Sequence, residues 1–233
     1  MTLCAKYLRF LFGFQIFVCF VFFVSLSPII ISCGSKNSYS TYAPKDLEAQ
    51  AELDMEGKRY SDAQEKLATV LSEAPENYDA RSLYAASFAG QAGITLFDIL
   101  MKAVNEQKSG TANQLDLLKG LVGDATAENV ALMKSATDNM LLIPTAAETP
   151  SMKYQAGIFQ ALYGILLIKK LQQDLATLGT IDPADAQALL DALLAAKGSF
   201  GTTSGPVDSA VGKIVDDIQA KGGVATYIQS LPK

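Results

Sequence analysis

The chain has one hydrophobic pattern before residue 33 and a different one in the residues that follow. From Phe10 to Ser32 the sequence has no charged residue and is rich in Phe, Val and Ile. Beyond residue 43, apolar residues recur at intervals of three and four positions with polar residues between them. The first pattern predicts a membrane-inserted or exported segment, and the second predicts amphipathic helices. Because no stretch alternates apolar and polar residues for long, we expect an all-α domain.

Capping and helix-breaking residues predict where the helices begin and end. The segment Asp182-Pro183-Ala184-Asp185 is the clearest start, with an N-cap, a proline at the first helical position and an acid at the third. Short connections favour a stack or bundle of antiparallel neighbours. The predicted helices cover 44–56, 60–74, 77–92 (capped by Asn77), 94–106, 111–122, a helix to 142 capped by Asp124 or Thr126, a helix capped by Ser151 to 179, 182–198, 206–221 and a last turn with Tyr227 and Leu231.

Residues 154–171 are apolar on nearly every face. A helix of this kind is usually a buried central helix, although it could instead line a hydrophobic cavity or insert into a membrane. Lys153 and the pair Lys169-Lys170 leave an uncharged stretch that is short for a membrane span. We therefore interpret this helix as the centre of the core.

The N-terminal segment has the features of an export signal. Lys6 and Arg9 precede the apolar run, and no acid occurs before Asp46. A helix from residue 10 to residue 32 would rise about 34 Å, so an uncleaved membrane anchor also fits. The residues that separate the two interpretations are Ile30-Ile31-Ser32-Cys33, which resemble the relaxed form of the bacterial lipobox.

The lipobox resemblance implies a lipid-anchored protein. It implies cleavage before Cys33 and attachment of lipid, with palmitate among its acyl chains, to that residue. Because Gly34 rather than Asp follows, it also implies retention at the outer membrane with the domain facing the periplasm. The expected organisation is a signal peptide over 1–32, a flexible tether over 33–43 and an all-α domain over 44–233. Without cleavage, Cys33 would be an inert thiol among lipid tails.

Residues 57–77 resemble the second half of a tetratricopeptide repeat. Gly57 stands at the turn between helices, Ala63 is the small residue at the helix crossing, and Pro75 ends the second helix. The following segment, 78–93, resembles the first helix of the next repeat. The resemblance is clearest over 44–106, whereas 111–233 is divergent, and it implies a right-handed helical solenoid or a helical bundle.

A repeat stack of this kind implies a concave face lined by the first helix of each pair, which holds a peptide or a partner helix. The alternative is an ordinary solvated helix face. In this chain the positions concerned are Glu48, Glu52, Asp79, Ser82 and Ala86.

Composition argues against several kinds of chemistry. The chain has no His and a net charge of −5, so His-based catalysis is excluded and nucleic acid is not an expected partner. We expect no metal, no cofactor and no enzyme activity. The acid pairs Asp182/Asp185 and Asp216/Asp217 are explained by capping and by solvation. An adjacent Ser and Lys, as at Lys134-Ser135, is common by chance.

The sequence therefore predicts a non-catalytic envelope lipoprotein that acts as a protein–protein interaction scaffold. The alternative is a ligand- or lipid-binding companion of an envelope transport system, similar to the tetratricopeptide-type component of TRAP transporters. In that alternative, the helix over 154–171 lines the ligand cavity.

Overall fold

A computed structural model describes residues 47–94, 114–201 and 206–232. These residues all lie in one compact unit that spans 46–233. Within the described ranges every regular element is an α-helix, which confirms the all-α prediction. The helices are α1 (Leu47–Glu56), α2 (Tyr60–Glu73), α3 (Tyr78–Gln91), α4 (Gln114–Leu121), α5 (Ala127–Leu141), α6 (Pro150–Leu178), α7 (Pro183–Phe200), α8 (Pro206–Ala220) and α9 (Val224–Ser230).

Several sequence predictions fall outside those ranges. The export segment, the tether with Cys33 and the predicted helix over 94–106, apart from Ile94, lie outside the described residues. Ile94 itself follows the end of α3. Its amide donates to the carbonyl of Ala89 at 2.9 Å, while Gly93, with φ of +77°, donates to Gly90. This is the Schellman arrangement that closes many helices.

Side-chain caps begin the helices largely where the sequence predicts them. The Asn77 Oδ1 atom accepts from the Ala80 amide at 3.0 Å, and the Asp182 Oδ1 atom accepts from the Ala184 amide at 2.8 Å. At α5 the cap is Thr126, whose Oγ1 atom accepts from the Asn129 amide. Asp124 instead offers its backbone carbonyl to the Asn129 side chain. Each cap satisfies an amide that the helix itself leaves unpaired.

Two predicted boundaries are wrong. Thr149, not Ser151, caps α6, because the fixed φ of Pro150 suits the first helical position and places the cap one residue before it. The helix α7 does not stop at Gly198 but runs to Phe200. Phe200 is buried against α6, and this packing outweighs the weak helix propensity of a glycine. Gly201, with φ of +61°, ends the helix instead.

The turn between α1 and α2 has one residue in a left-handed conformation. Lys58 has φ of +59°, which is unusual for a residue other than glycine. Its amide donates to the Met55 carbonyl at 3.0 Å, and the Arg59 amide donates to the Asp54 carbonyl at 2.7 Å. These two bonds form a Schellman closure of α1 with lysine at the position that glycine usually takes.

The long helix α6 lies at the centre of the fold. Every residue from 156 to 168 is buried, which confirms the interpretation of this segment as a core helix. Gly157 and Gly164 allow α7 to approach closely. A Cβ atom at Gly164 would lie 2.8 Å from Leu193 Cδ2, and one at Gly157 would lie 2.8 Å from the Phe200 ring. In the described ranges, no helix has the length and hydropathy that a bilayer crossing requires.

Buried apolar residues form a large and a small cluster. The large one joins α6 to α3, α4, α5, α7, α8 and α9. The small one lies between α1 and α2 and the start of α3, and its buried members are Ala51, Ala63, Leu67, Leu71 and Ala80. The helix α3 therefore contributes to both, with Ala80 in the small cluster and Ala85 and Ala89 in the large one.

Candidate functional site

The first three helices position the predicted binding face. Ala51 of α1 and Ala63 of α2 are fully buried, so the two backbones approach closely at small side chains. The Asn77 Nδ2 atom, at the start of α3, donates to the Glu48 Oε2 atom at 2.9 Å. This contact places the start of α1 beside the start of α3.

The five predicted positions divide into two groups. Glu52 and Asp79 are exposed, and Glu48 is half-buried beside Asn77. Ser82 and Ala86 face the rest of the fold instead, since Ala86 packs against the large cluster. The structure therefore brings Glu52 and Asp79 to the surface of α1 and α3, and it places the two small residues at an interface between helices.

Ser82 is held by a residue that the sequence pattern did not single out. Its hydroxyl donates to the Gln155 Oε1 atom at 2.8 Å, and the Gln155 Nε2 atom donates to the Ser82 carbonyl at 3.2 Å. Gln155 belongs to α6, so this pair of bonds joins α3 to the central helix. The sequence signal that could have identified Gln155 is its polar amide near the start of an otherwise apolar helix.

A buried carboxylate fixes the hairpin of α1 and α2. The Asp54 side chain is only 10% exposed and lies 2.5 Å from Lys66 Nζ and 2.5 Å from Arg59 Nη2. The hydrogen bond from Lys66, with a further one from Arg59, holds the pKa of Asp54 below its ordinary value of 3.8, although burial acts in the opposite direction. The cluster joins α1, the turn and α2, and each of its charged groups has a partner of opposite charge.

A second ionic cluster joins α6 and α7. The Lys170 Nζ atom lies 2.8 Å from Asp174 Oδ2 and 2.6 Å from Asp185 Oδ2. The hydrogen bonds to Asp174 and then to Asp185 raise the pKa of Lys170. Asp185 is thus paired with a lysine, and its neighbour Asp182 caps α7. Both members of this acid pair have structural contacts.

A groove lies beside the C-terminal part of α6, on the side where α4 and α9 pack against it. Its volume is about 710 Å³. Lys119 Nζ donates to the Gln172 Oε1 atom at 2.8 Å, and Lys169 Nζ donates to the Gly123 carbonyl at 2.6 Å. In the sequence, Lys169 marked only the end of the apolar run. The lining residues are Lys119, Lys169, Gln172, Gln173, Leu175, Ala176, Ile228, Gln229, Leu231 and Pro232.

Metal ligands do not cluster in the part of the chain that the structure describes, where no group of three or more His, Cys, Asp or Glu side chains could hold an ion. Comparison with known proteins gave no family model, no curated protein and no solved structure that matches this chain. Function is therefore inferred from the residues and contacts described above.

Proposed function

We propose that this protein is a membrane-tethered, non-catalytic lipoprotein of the bacterial envelope whose helical domain is a scaffold for another protein. The observation that carries the interaction role is the stack of α1, α2 and α3. Its helices meet at buried alanines, and the exposed acids Glu52 and Asp79 lie on the first and third helices. The tether is supported by the lipobox-like Ile30-Ile31-Ser32-Cys33 and by the polar residues that follow it.

The contact between Glu48 and Asn77 supports a repeat-like arrangement of these helices. In tetratricopeptide-like stacks, the first helices of successive pairs lie side by side and line one face. Here the starts of α1 and α3 are joined by the 2.9 Å bond from Asn77 to Glu48, while α2 connects them. A face built from α1 and α3 is therefore the surface that we assign to the partner.

The chemistry of this face favours a basic partner segment. Glu48, Glu52 and Asp79 lie on α1 and at the start of α3, and the chain as a whole is acidic, with a net charge of −5. Complementary charge accelerates association and excludes partners of like charge. The expected partner is an envelope protein with a basic helix or peptide.

A photo-crosslinking amino acid at position 52 or 79 tests this assignment in cells. We expect both positions to capture the same envelope protein, because they share one face. The matched control is position 128, since Glu128 is also an exposed acid and lies in the first turn of α5.

Charge reversal sharpens the test. With the crosslinker at position 52 we expect Asp79→Lys to reduce capture by about threefold, and with the crosslinker at position 79 we expect the same of Glu52→Lys, whereas Glu128→Lys leaves capture unchanged in both cases. Equal capture from positions 52, 79 and 128, or capture that is unchanged by reversal of the other acid, would contradict the scaffold face.

A further inference from the structure

Two adjacent leucines are exposed at the end of α5. Leu141 and Leu142 are each 62% exposed, and no charged residue occurs in the chain between Asp138 and Glu148. Tyr154, near the start of α6, is a further exposed side chain with a large apolar part. Single exposed apolar residues are common on protein surfaces, whereas neighbouring ones in an uncharged segment are typical of a surface that contacts a partner or a lipid.

The described part of the chain begins at the same end of the fold as these leucines. Asn77 joins the start of α3 to Glu48, near the start of α1. Further along α3, Ser82 is bonded to Gln155, near the start of α6. A short connection over 142–149, which contains a turn, leads from the end of α5 to the start of α6. The starts of α1, α3 and α6 and the end of α5 therefore lie together, and we call this region the entry end.

The length of the tether favours the entry end as the part of the domain nearest a membrane. This step rests on the membrane tether of the proposed function. The polar composition of 33–43 predicts a random coil with an end-to-end distance of about 18 Å. The helix α6 alone is about 42 Å long. A coil much shorter than the domain brings the end that it enters close to the lipid more often than the opposite end.

We propose that the entry end docks on the lipid surface to which the chain is tethered, with Leu141 and Leu142 inserted between the headgroups and the acyl chains. Tyr154 fits the same interface, because its ring is apolar and its hydroxyl is polar. The acids Asp79 and Glu148 also lie at this end and are repelled by an anionic surface, so the expected lipid is zwitterionic. The inference deepens the proposed function, because it states which way the tethered domain faces.

Tryptophan fluorescence can test the orientation, because the chain has no tryptophan of its own. The change Leu142→Trp places the fluorophore at the entry end. The matched control is Leu178→Trp, since Leu178 is 71% exposed and is the last residue of α6. Each full chain is reconstituted in vesicles of a zwitterionic lipid, with and without a lipid that carries a nitroxide quencher just below its headgroup. We expect the quencher to lower the emission of Leu142→Trp about twofold and that of Leu178→Trp by less than about a tenth.

A second change tests whether the leucines themselves enter the lipid. Leu141→Asp, made in the Leu142→Trp chain, places a charge where acyl chains are expected, and we expect it to remove most of the quenching. The matched control is Leu194→Asp in the same chain, since Leu194 is an exposed leucine of α7, and there we expect the quenching to persist. Unchanged circular dichroism of Leu141→Asp establishes that the loss of quenching is not a loss of fold.

Flotation of the vesicles separates a failure of this inference from a failure of the proposed tether. A chain that does not float with the vesicles would overturn the tether and the docking of the entry end together. A chain that floats and is quenched equally at positions 142 and 178 would overturn the docking alone. Quenching that survives Leu141→Asp would do the same, because the leucines would then lie outside the lipid.

Discussion

Asp54 is a charged residue in a hairpin whose other buried side chains are apolar. Its carboxylate leaves water only because Arg59 from the turn and Lys66 from α2 supply two hydrogen-bonding cations. Burying an unpaired charge is costly, whereas a paired one is tolerated when its oxygens are satisfied. Since Arg59 is half exposed, solvent screens part of this attraction. The cluster therefore selects the conformation of the turn more than it adds stability.

The change Asp54→Asn is expected to lower the free energy of unfolding by about 1–2 kcal/mol, because it removes the charge that strengthens three hydrogen bonds and replaces one acceptor oxygen with an amide N–H group. Urea unfolding followed by circular dichroism measures this. The matched control is Asp62→Asn, since Asp62 is exposed and lies 3.9 Å from the same arginine. We expect less than about 0.5 kcal/mol there. Equal effects at the two positions would show that Asp54 has no special role.

The difference in stability between the wild type and Asp54→Asn should also depend on pH. Because the pKa of Asp54 in the folded protein lies below its ordinary value of 3.8, the unfolded chain takes up this proton first as the pH falls. The stabilising contribution is therefore complete above the ordinary pKa and is lost as the pH falls through the folded-state pKa. The difference in stability between the wild type and Asp54→Asn should accordingly shrink in acid. A difference that grew as the pH fell below about 4 would contradict the lowered pKa.

At the scale of elements, the contact between α6 and α7 depends on two glycines of α6, which leave room for large side chains of α7. Gly164 faces Leu193 and Gly157 faces Phe200, so each glycine of α6 receives a large side chain of α7. Nearer the C-terminus of α6, Lys170 forms ion pairs with Asp174 of the same helix and with Asp185 of α7. This arrangement combines close backbone approach with a specific ionic contact, which fixes the register of the two helices.

Gly164→Val is expected to lower the free energy of unfolding by about 1–3 kcal/mol, because the added methyl groups overfill the space beside Leu193. Gly198→Val is the control, since Gly198 lies in α7, is exposed and has open space where a Cβ atom would stand. There we expect a change below about 0.5 kcal/mol, from helix propensity alone. Thermal or urea unfolding compares the two, and similar losses would contradict a tight α6–α7 contact.

The elements also show what sequence patterns can and cannot predict. Local signals, such as Asn77 and the Asp182-Pro183 start, predicted their caps because capping depends on neighbouring residues alone. The end of α7 could not be predicted from Gly198, because a distant contact of Phe200 with α6 decides it. Likewise, a groove that joins Lys119, Lys169 and Ile228 depends on tertiary packing that no local spacing encodes.

At the scale of the whole molecule, the proposed tether decides where the domain acts. The change Cys33→Ala is expected to abolish loss of residues 1–32 and addition of acyl mass, because Cys33 is the residue that we propose to be lipidated. Intact mass of both forms, purified from a bacterial host with lipoprotein processing, measures this. The matched control is Cys19→Ala, which removes a cysteine within the apolar run. An unprocessed mass in the wild type would make the segment a membrane anchor and remove the outer-membrane assignment.

The length of α6 sets the distance between its contact with α3 and the groove. Gln155, which holds α3, and Gln172, at the groove, are separated by about 26 Å along one continuous helix. The contact with α3 and the groove therefore belong to distant parts of the same helix. Because one uninterrupted helix joins them, the packing of α3 on α6 and the packing of α4 and α9 beside the groove are held in a fixed relation by the same rigid element.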